Sequence, residues 1–220
     1  KEHFGDEKGK LKPPKAVVDI GCLNRSTLVR IQEALHPHPV KGILVDINRL
    51  TPAVSGEHAD TEYAIGHMEK ILANPEMRAA FEAKLPKGGS ALFLMNNFLS
   101  VLSPEEAAST FRTIWQSVRP GDSVLVINLS EKHVEGDAYG RYIDDSTEVD
   151  GLVVAKNKGG TPFKTVAKLD AFENKLAKFP DATIVGCGEV NYTADAKGLA
   201  EPAPVKSLQF MIVKNTKGIE

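Results

Sequence analysis

The chain has 220 residues, a formal net charge of −2 and 42% hydrophobic residues, the composition of an ordinary soluble globular protein. A chain of this length buries roughly 70% of its unfolded surface, so its fold requires neither disulfides nor a structural metal. Its two cysteines exclude a disulfide framework and a four-cysteine zinc site. The mild acidity argues against a nucleic-acid grip built on bulk positive charge.

The polar, lysine-rich stretch 1–15 ends in Pro13-Pro14, which predicts a flexible or extended lead-in. Residues 16–220 are predicted to form a single domain. The sequence starts at Lys1 rather than methionine, so we expect a processed product or a domain with further chain N-terminal to it. No apolar run approaches the roughly 18 residues that span a bilayer, and no signal-peptide core is present. A cytoplasmic location without a membrane partner is therefore expected.

Short apolar runs alternate with helical patterns along the chain. The predicted strands are residues 16–20, 42–47, 62–65, 90–95, 123–129, 183–192 and 207–214. The predicted helices are residues 27–35, 69–85 with an interruption near Asn74-Pro75, 104–118 and 168–179. Ser103 and the acidic first turn after Pro104 are typical of a helix start. Residues 130–166 are polar and rich in glycine and aspartate, and no strand is predicted there.

The first five strands are apolar along their whole length, which indicates a parallel sheet covered on both faces. The predicted fold is a doubly wound, Rossmann-like α/β sheet. The last two strands are joined by a short loop rich in proline and glycine, without a crossover helix. They are therefore predicted to pair antiparallel.

Ligands of such sheets bind at the carboxyl ends of the strands. The first strand runs into Asp19-Ile20-Gly21, and the second ends at Asp46. The glycine permits a tight turn with close approach to the backbone, and Asp46 is placed to accept hydrogen bonds from a ribose diol. Asp19 has an alternative role as a cap of the turn that follows it. Its combination with Gly21 and Asp46 favours the ligand-binding interpretation.

This layout resembles the class I S-adenosylmethionine (SAM)-dependent methyltransferases. Asp19-Ile20-Gly21 matches the acidic-any-glycine motif of that family, and Asp46 matches its ribose-binding acid. His67-Met68 occupies the place of the adenine-contacting pair. Residues 90–127, with the proline-glycine turn 119–122, resemble the fourth strand, its helix and the fifth strand. The resemblance covers about residues 16–129 well and the remainder loosely.

The resemblance implies a mostly parallel seven-stranded sheet with an antiparallel last strand. It also implies SAM as cofactor and methyl transfer to a small-molecule or protein acceptor. The mild acidity of the chain favours such an acceptor over nucleic acid. The cofactor-binding residues carried over are Asp19, Gly21, Cys22, Asn24, Arg25, Asp46, Ile47, His67, Met68, Asn96 and Asn97.

Three positions depart from the family pattern. Leu23 and Arg25 stand where many members have glycine, and His67 replaces the usual aspartate beside adenine. A histidine there contacts an amino group only through its neutral, acceptor nitrogen. These departures motivate an alternative, a non-catalytic binding or interaction domain of a larger protein. Asn96 and Asn97 likewise either bind cofactor or substrate or only close the fourth strand.

In the resembling family, the region after the fifth strand often lines the acceptor pocket. Here His133 is the candidate general base, and Tyr139 or Tyr142 would orient the acceptor. The alternative is an exposed loop without a role. The acidic residues of this region give only a weak metal signal, so no metal is predicted.

Other residues are assigned to structure rather than chemistry. Cys22 is interpreted as a small packed residue, and Trp115 as a core residue of its helix. His36 and His38 lack further ligands for a metal and are assigned to a solvated loop. A nicotinamide-dependent reductase is disfavoured because the first turn lacks the G-x-G-x-x-G pattern.

Overall fold

A computed structural model describes residues 13–22, 26–47, 61–134, 140–194 and 203–214. In chain order the strands are β1 (Ala16–Ile20), β2 (Lys41–Asp46), β3 (Thr61–Ile65), β4 (Ala91–Asn96), β5 (Ser123–Leu129), β6 (Tyr142–Val149), β7 (Leu152–Lys156), β8 (Pro162–Ala167), β9 (Ala182–Ala194) and β10 (Ala203–Lys214). The helices are α1 (Ser26–Leu35), α2 (Met68–Ala73), α3 (Pro75–Glu82), α4 (Pro104–Ser117) and α5 (Leu169–Leu176).

Seven strands form the main sheet in the order β3-β2-β1-β4-β5-β10-β9. The pairings among β1 to β5 are parallel, whereas β10 is antiparallel to both β5 and β9. The predicted seven-stranded sheet and its antiparallel last strand are therefore confirmed. The chain connections from β1 run to β2 and β3 on one side of the sheet and to β4 and β5 on the other. The topological switch point, where ligands of this fold bind, therefore lies at the crevice between the carboxyl ends of β1 and β4.

The strands of the main sheet carry apolar side chains on both faces because each face is covered. Val17 and Leu44 pack on one face with Leu28 and Leu35 of α1. Helices α2 to α5 cover the opposite face. Trp115 of α4 is 3% exposed and meets Phe179 edge-on, with ring centroids 6.2 Å apart, which confirms its core assignment.

Helix boundaries follow local capping chemistry. The Ser103 side chain accepts a hydrogen bond from the Glu106 N–H, and the Glu106 side chain accepts one from the Ser103 N–H, so α4 begins with a capping box. The Asn74 side chain accepts from two N–H groups of α3. This capping explains the predicted interruption, because Asn74 ends α2 and starts α3 at the following proline.

A second, three-stranded antiparallel sheet, in the order β6-β7-β8, lies in the region where no strand was predicted. That prediction is wrong for residues 142–167. Asp150 and Gly151 both have positive φ, 55° and 80°, and form the two-residue turn between β6 and β7. A further turn closes β7 on β8 through Gly160, whose N–H donates to the Asn157 carbonyl at 2.7 Å.

The small sheet is fixed against the main one by buried contacts. Its residues Leu152 and Ala167 belong to the main core, and Val153 and Val166 pack with Val134, which follows β5. The Thr165 hydroxyl donates to the Leu102 carbonyl, and the Asn128 amide donates to the Thr165 carbonyl at 3.3 Å. The small sheet therefore packs beside the carboxyl ends of β4 and β5.

Within the described part of the chain, no helix has the length and apolar character needed to cross a membrane. The longest described helix, α4, has 14 residues.

Candidate functional site

The turn after β1 is shaped by a glycine that no other residue could replace without strain. Gly21 has φ +68°, and a Cβ built on it would lie 2.4 Å from Cδ2 of Phe98. Its N–H donates to the Val45 carbonyl at 2.8 Å. The sequence predicted a close approach of a ligand to the backbone here, and in the structure the Phe98 ring lies at this position. No sequence motif pointed to Phe98, which follows Asn97 at the end of β4.

Asp19 is the most unusual group at this edge. Its side chain is 2% exposed, and its Oδ2 has no hydrogen-bond partner among the described residues. Burial, and secondarily the charge of Asp46, raise the pKa of Asp19 to about 7. An unpaired carboxylate oxygen in an apolar setting costs stability.

Asp46 and the residues near it line the neighbouring strand ends. Asp46 is half-buried at the end of β2, and its carbonyl accepts the Gly66 N–H at 2.8 Å, which ties the ends of β2 and β3 together. Ile47 is 55% exposed, and Ile65 is 50% exposed. Two large apolar side chains are thus left accessible beside a carboxylate, an arrangement suited to a flat apolar ligand with a polar rim.

Of the two residues predicted to contact adenine, His67 lies at the surface and Met68 in the core. His67 precedes α2 with no side-chain capping bond; it is half exposed, and its Nδ1 lies 3.6 Å from Oε1 of Glu69. Met68 is 1% exposed and belongs to the main core. The Met68 side chain therefore faces the core, where it is not accessible to a ligand, and only its main chain is near the edge.

Asn96 and Asn97 join β4 to its neighbours. The Asn96 Nδ2 donates to Thr27 Oγ1 at 3.5 Å, and the Asn97 Nδ2 donates to Asn96 Oδ1 at 3.4 Å. The Asn97 N–H donates to the Ile127 carbonyl at 2.7 Å, and its φ of +54° reorients the chain. The structure places Thr27, near the start of α1, across the crevice from β4.

The predicted acceptor-side residues follow β5. His133 lies in a single helical turn, Glu131–His133, and is half-buried. Burial, followed by the charges of Arg141 and Lys206, lowers the pKa of His133. Tyr142 is 44% exposed at the start of β6. The predicted residues Asn24, Arg25 and Tyr139, and the divergent Leu23, lie outside the described residues.

The residues that the sequence assigned to structure rather than chemistry, Cys22, His36 and His38, lie where that assignment expected them. Cys22 is 8% exposed, and burial, with the nearby Asp19 and Asp46, raises the pKa of its thiol to about 12. The thiol is thus neutral and unsuited to nucleophilic attack. His36 and His38 are exposed. Among the described residues, no group of three or more histidine, cysteine, aspartate or glutamate side chains is arranged to hold a metal.

Several solved structures that are similar to this chain are named as methyltransferases. A SAM-dependent methyltransferase from Anabaena variabilis is similar over 91% of this chain and 77% of its own, with 15% identity and a TM-score of 0.58. One from Methanosarcina mazei matches 94% and 95% of the two chains, with 12% identity and a TM-score of 0.55. The Burkholderia thailandensis 1,6-didemethyltoxoflavin-N1-methyltransferase, solved with S-adenosylhomocysteine, matches 92% and 72%, with 12% identity and a TM-score of 0.50.

No protein-family model matches the chain, and no curated protein sequence does so. At identities this low, the structural similarities establish the fold alone. The chain has the fold of the class I SAM-dependent methyltransferases, as its sequence resemblance implied.

Proposed function

We propose that this protein transfers a methyl group from SAM to a small-molecule or protein acceptor. The observation that carries the proposal is the buried Asp19 carboxyl with its unpartnered Oδ2, at the strand edge where ligands of this fold bind. A structural carboxylate in the interior is normally paired. One held without a partner among the described residues is suited to a ligand that brings a cation or hydrogen-bond donors, as SAM does.

The remaining residues of this edge fit the same ligand. Asp46 would accept hydrogen bonds from the ribose hydroxyls, and the exposed Ile47 would pack against the adenine ring. His67 would accept from the adenine amino group through a neutral ring nitrogen. We also place Gly21, Cys22, Asn96 and Asn97 around the cofactor. Gly21 and Cys22 shape the turn, and the asparagines supply amide groups between β4 and α1.

When bound, SAM supplies an electrophilic methyl group on a sulfonium. The protein itself needs no nucleophile, so its own contribution is to position the acceptor and exclude water. His133 would accept a proton from an acceptor that is protonated at working pH, because its lowered pKa keeps the imidazole neutral. Tyr142 would orient that acceptor from the start of β6, and Tyr139 is proposed beside it from the sequence alone.

Calorimetry with SAM and with S-adenosylhomocysteine tests the binding half of this proposal. We expect saturable binding of both compounds to the wild-type protein and at least tenfold weaker binding to Asp46→Asn, which replaces one of the two acceptor oxygens offered to the ribose diol by an NH2 donor and removes the charge. Glu62→Gln is a suitable control for the loss of one carboxylate. Glu62 lies on β3, is paired with Lys41 and with Lys84, and has no proposed contact with a ligand. Absence of binding of either compound at millimolar concentration would refute the proposal.

Methyl transfer is tested separately by incubating the protein with radiolabelled SAM and candidate acceptors. Label appearing in a product, and its loss in His133→Gln with retained SAM binding, would support an enzymatic role. Binding of SAM without transfer to any acceptor tested would instead support the non-catalytic alternative.

A further inference from the structure

A phenylalanine ring lies at the switch point of the main sheet. Phe98 follows the end of β4 by two residues. Its Cδ2 edge is the part closest to Gly21, because a Cβ built on that glycine would lie 2.4 Å from Cδ2. The ring therefore bridges the carboxyl ends of β1 and β4, between which ligands of this fold bind.

Hydrogen bonds fix the backbone around this ring. Asn97 has a φ of +54°, which turns the chain out of β4, and its carbonyl accepts from the Ser100 hydroxyl at 2.6 Å. The Leu102 carbonyl accepts from the Thr165 hydroxyl of β8. Phe98 packs against the main core, yet it is only half-buried. An aromatic ring with accessible surface is thus presented at the crevice.

The order of the strands indicates which part of SAM would lie beside the ring. In the proposed function, Ile47 and His67 hold the adenine and Asp46 holds the ribose, beyond the ends of β2 and β3. The sheet continues from there to β1, β4 and β5, and the acceptor-side residue His133 follows β5. Because neighbouring strands lie about 4.8 Å apart, the sulfonium, which follows the ribose in SAM, would lie one to two strands further on, at β1 and β4.

The turn after β4 offers this sulfonium no formal charge. Residues 97–102 contain no aspartate or glutamate. The carbonyls of Asn97, Phe98 and Leu102 already accept hydrogen bonds within the protein. SAM carries both a sulfonium and an ammonium group, and Asp19 supplies a single buried carboxylate. The face of the Phe98 ring is the group in this turn that attracts a cation without bearing a charge.

We propose that the Phe98 ring contacts the sulfonium of bound SAM and thereby favours SAM over S-adenosylhomocysteine, an inference that rests on the proposed function. The two compounds differ by one methyl group and by the positive charge on sulfur. An aromatic ring attracts a cation through its quadrupole and gains less from a neutral thioether. The contact therefore weakens when the methyl group has left, which helps the product to dissociate.

Calorimetry with SAM and with S-adenosylhomocysteine on two variants of Phe98 tests the proposal. Phe98→Leu keeps an apolar side chain but removes the aromatic face. It should lower the affinity for SAM by about three- to tenfold and that for S-adenosylhomocysteine by less than about twofold. Phe98→Tyr keeps the ring, so the ratio of the two affinities should stay within about twofold of the wild-type ratio.

Phe179→Leu is the matched control for the loss of a ring. Phe179 is also half-buried and packed against the main core. It lies at the opposite edge of the sheet, because it precedes Ala182, which pairs with Lys214 beside the start of β5. Phe179→Leu should leave both affinities unchanged. Urea denaturation of each variant separates a loss of stability from a loss of binding.

A second measurement observes the contact in the wild-type protein itself. SAM labelled with carbon-13 in its S-methyl group is bound to the protein, and nuclear Overhauser effects from the methyl protons are recorded. We expect an effect to the ring protons of a phenylalanine. It should vanish in Phe98→Leu and persist in Phe179→Leu. This readout needs no methyl acceptor and no turnover.

Three results would overturn the proposal. They are an equal loss of affinity for the two compounds in Phe98→Leu, which would make the ring a packing residue only, an unchanged affinity for SAM in that variant, or no methyl-to-ring effect in the wild-type protein. In each of these cases the wild-type protein still binds SAM, so only this inference fails. If neither compound binds the wild-type protein, the proposed function fails and this inference falls with it.

Discussion

Asp150 and Asp19 each lie within two residues of a glycine of positive φ, but their surroundings are opposite. In the turn between β6 and β7, Asp150 is paired with Arg112 of α4 and with Lys175 of α5, the latter at 2.8 Å. In β1, two residues before Gly21, Asp19 is buried with an oxygen that has no partner among the described residues.

The pKa values of the two aspartates differ accordingly. Burial alone would raise the pKa of Asp150, but hydrogen bonds from Lys175 and Arg112 outweigh it and lower the pKa. Oδ2 of Asp19 has no such partner among the described residues, and the pKa of Asp19 is raised to about 7. Asp150 joins the small sheet to two helices, whereas Asp19 carries an electrostatic cost that a ligand could offset. The comparison separates an aspartate that stabilises the fold from one that we propose is kept for binding.

The largest expected effect is at the structural turn. A Cβ at Gly151 would lie 2.3 Å from the backbone nitrogen of Phe172, and backbone cannot move aside cheaply. We expect Gly151→Ala to lower the free energy of unfolding by about 3 kcal/mol or more, as measured by urea denaturation. Gly159→Ala is the control, since open space surrounds that position. Equal stability of the two variants would show that the Asp150–Gly151 turn is not packed against α5 as described.

Replacing each of the two aspartates by asparagine should change the free energy of unfolding in opposite directions. Asp19→Asn removes a buried charge and should raise the free energy of unfolding at pH 8 by about 1–3 kcal/mol. Asp150→Asn removes the partner of two cations and should lower it by about 1 kcal/mol, a modest figure because Arg112 is partly exposed. Denaturant titrations of both variants at pH 8 measure the difference. Destabilisation by Asp19→Asn would mean that its carboxylate has a structural partner.

The stability of the protein should depend on pH through Asp19. The folded state keeps Asp19 protonated up to about pH 7, whereas the unfolded chain loses that proton near pH 4. Between these values the unfolded state binds fewer protons, so this group makes stability fall as pH rises, by at most about 1.4 kcal/mol per pH unit.

The free energy of unfolding of the wild-type protein minus that of Asp19→Asn isolates the contribution of Asp19 from that of other carboxyl groups. One of these is Asp144, whose pKa is lowered to about 2, mainly by a hydrogen bond from Lys156. The two proteins should differ little at pH 4 and most above pH 7. A difference that does not vary with pH would contradict the raised pKa of Asp19.

The expected effect at the turn after β1 is smaller than that at Gly151. A Cβ at Gly21 meets the Phe98 ring, a side chain that can rotate away, so Gly21→Ala should cost about 1–2 kcal/mol, chiefly through its positive φ. Gly21→Ala combined with Phe98→Ala should recover the part due to the clash. A loss as large as that of Gly151→Ala would place Gly21 in the same structural class as Gly151.

The sequence predicted the main sheet well because its central strands β1, β2, β4 and β5 are mostly apolar, and such runs are recognisable without tertiary information. The sequence did not predict the small sheet because β6 is mostly polar and has no fully buried residue. It therefore lacks the apolar run by which a strand is recognised. One signal for it was present. Asp150-Gly151 stands between Val149 and Leu152, and an Asp-Gly pair between apolar residues is a strong hairpin indicator.

The sequence predicts which edge of the sheet the candidate residues share, but not their contacts. Asp19, Gly21 and Asp46 could be placed at one edge because parallel strands end together. The core position of Met68 and the packing of Phe98 on Gly21 depend on how helices and loops settle, which one sequence does not encode locally. That Asp19 Oδ2 has no partner among the described residues likewise depends on how its neighbours pack.

The central claim is that Asp19 is held at a stability cost for the sake of a ligand. Isothermal titration of SAM into the wild-type protein and into Asp19→Asn at pH 8 tests it most directly. The account predicts saturable binding by the wild-type protein and at least tenfold weaker binding by the variant, although the variant is the more stable of the two. Equal affinities in the two proteins, or no binding by the wild-type protein, would contradict it.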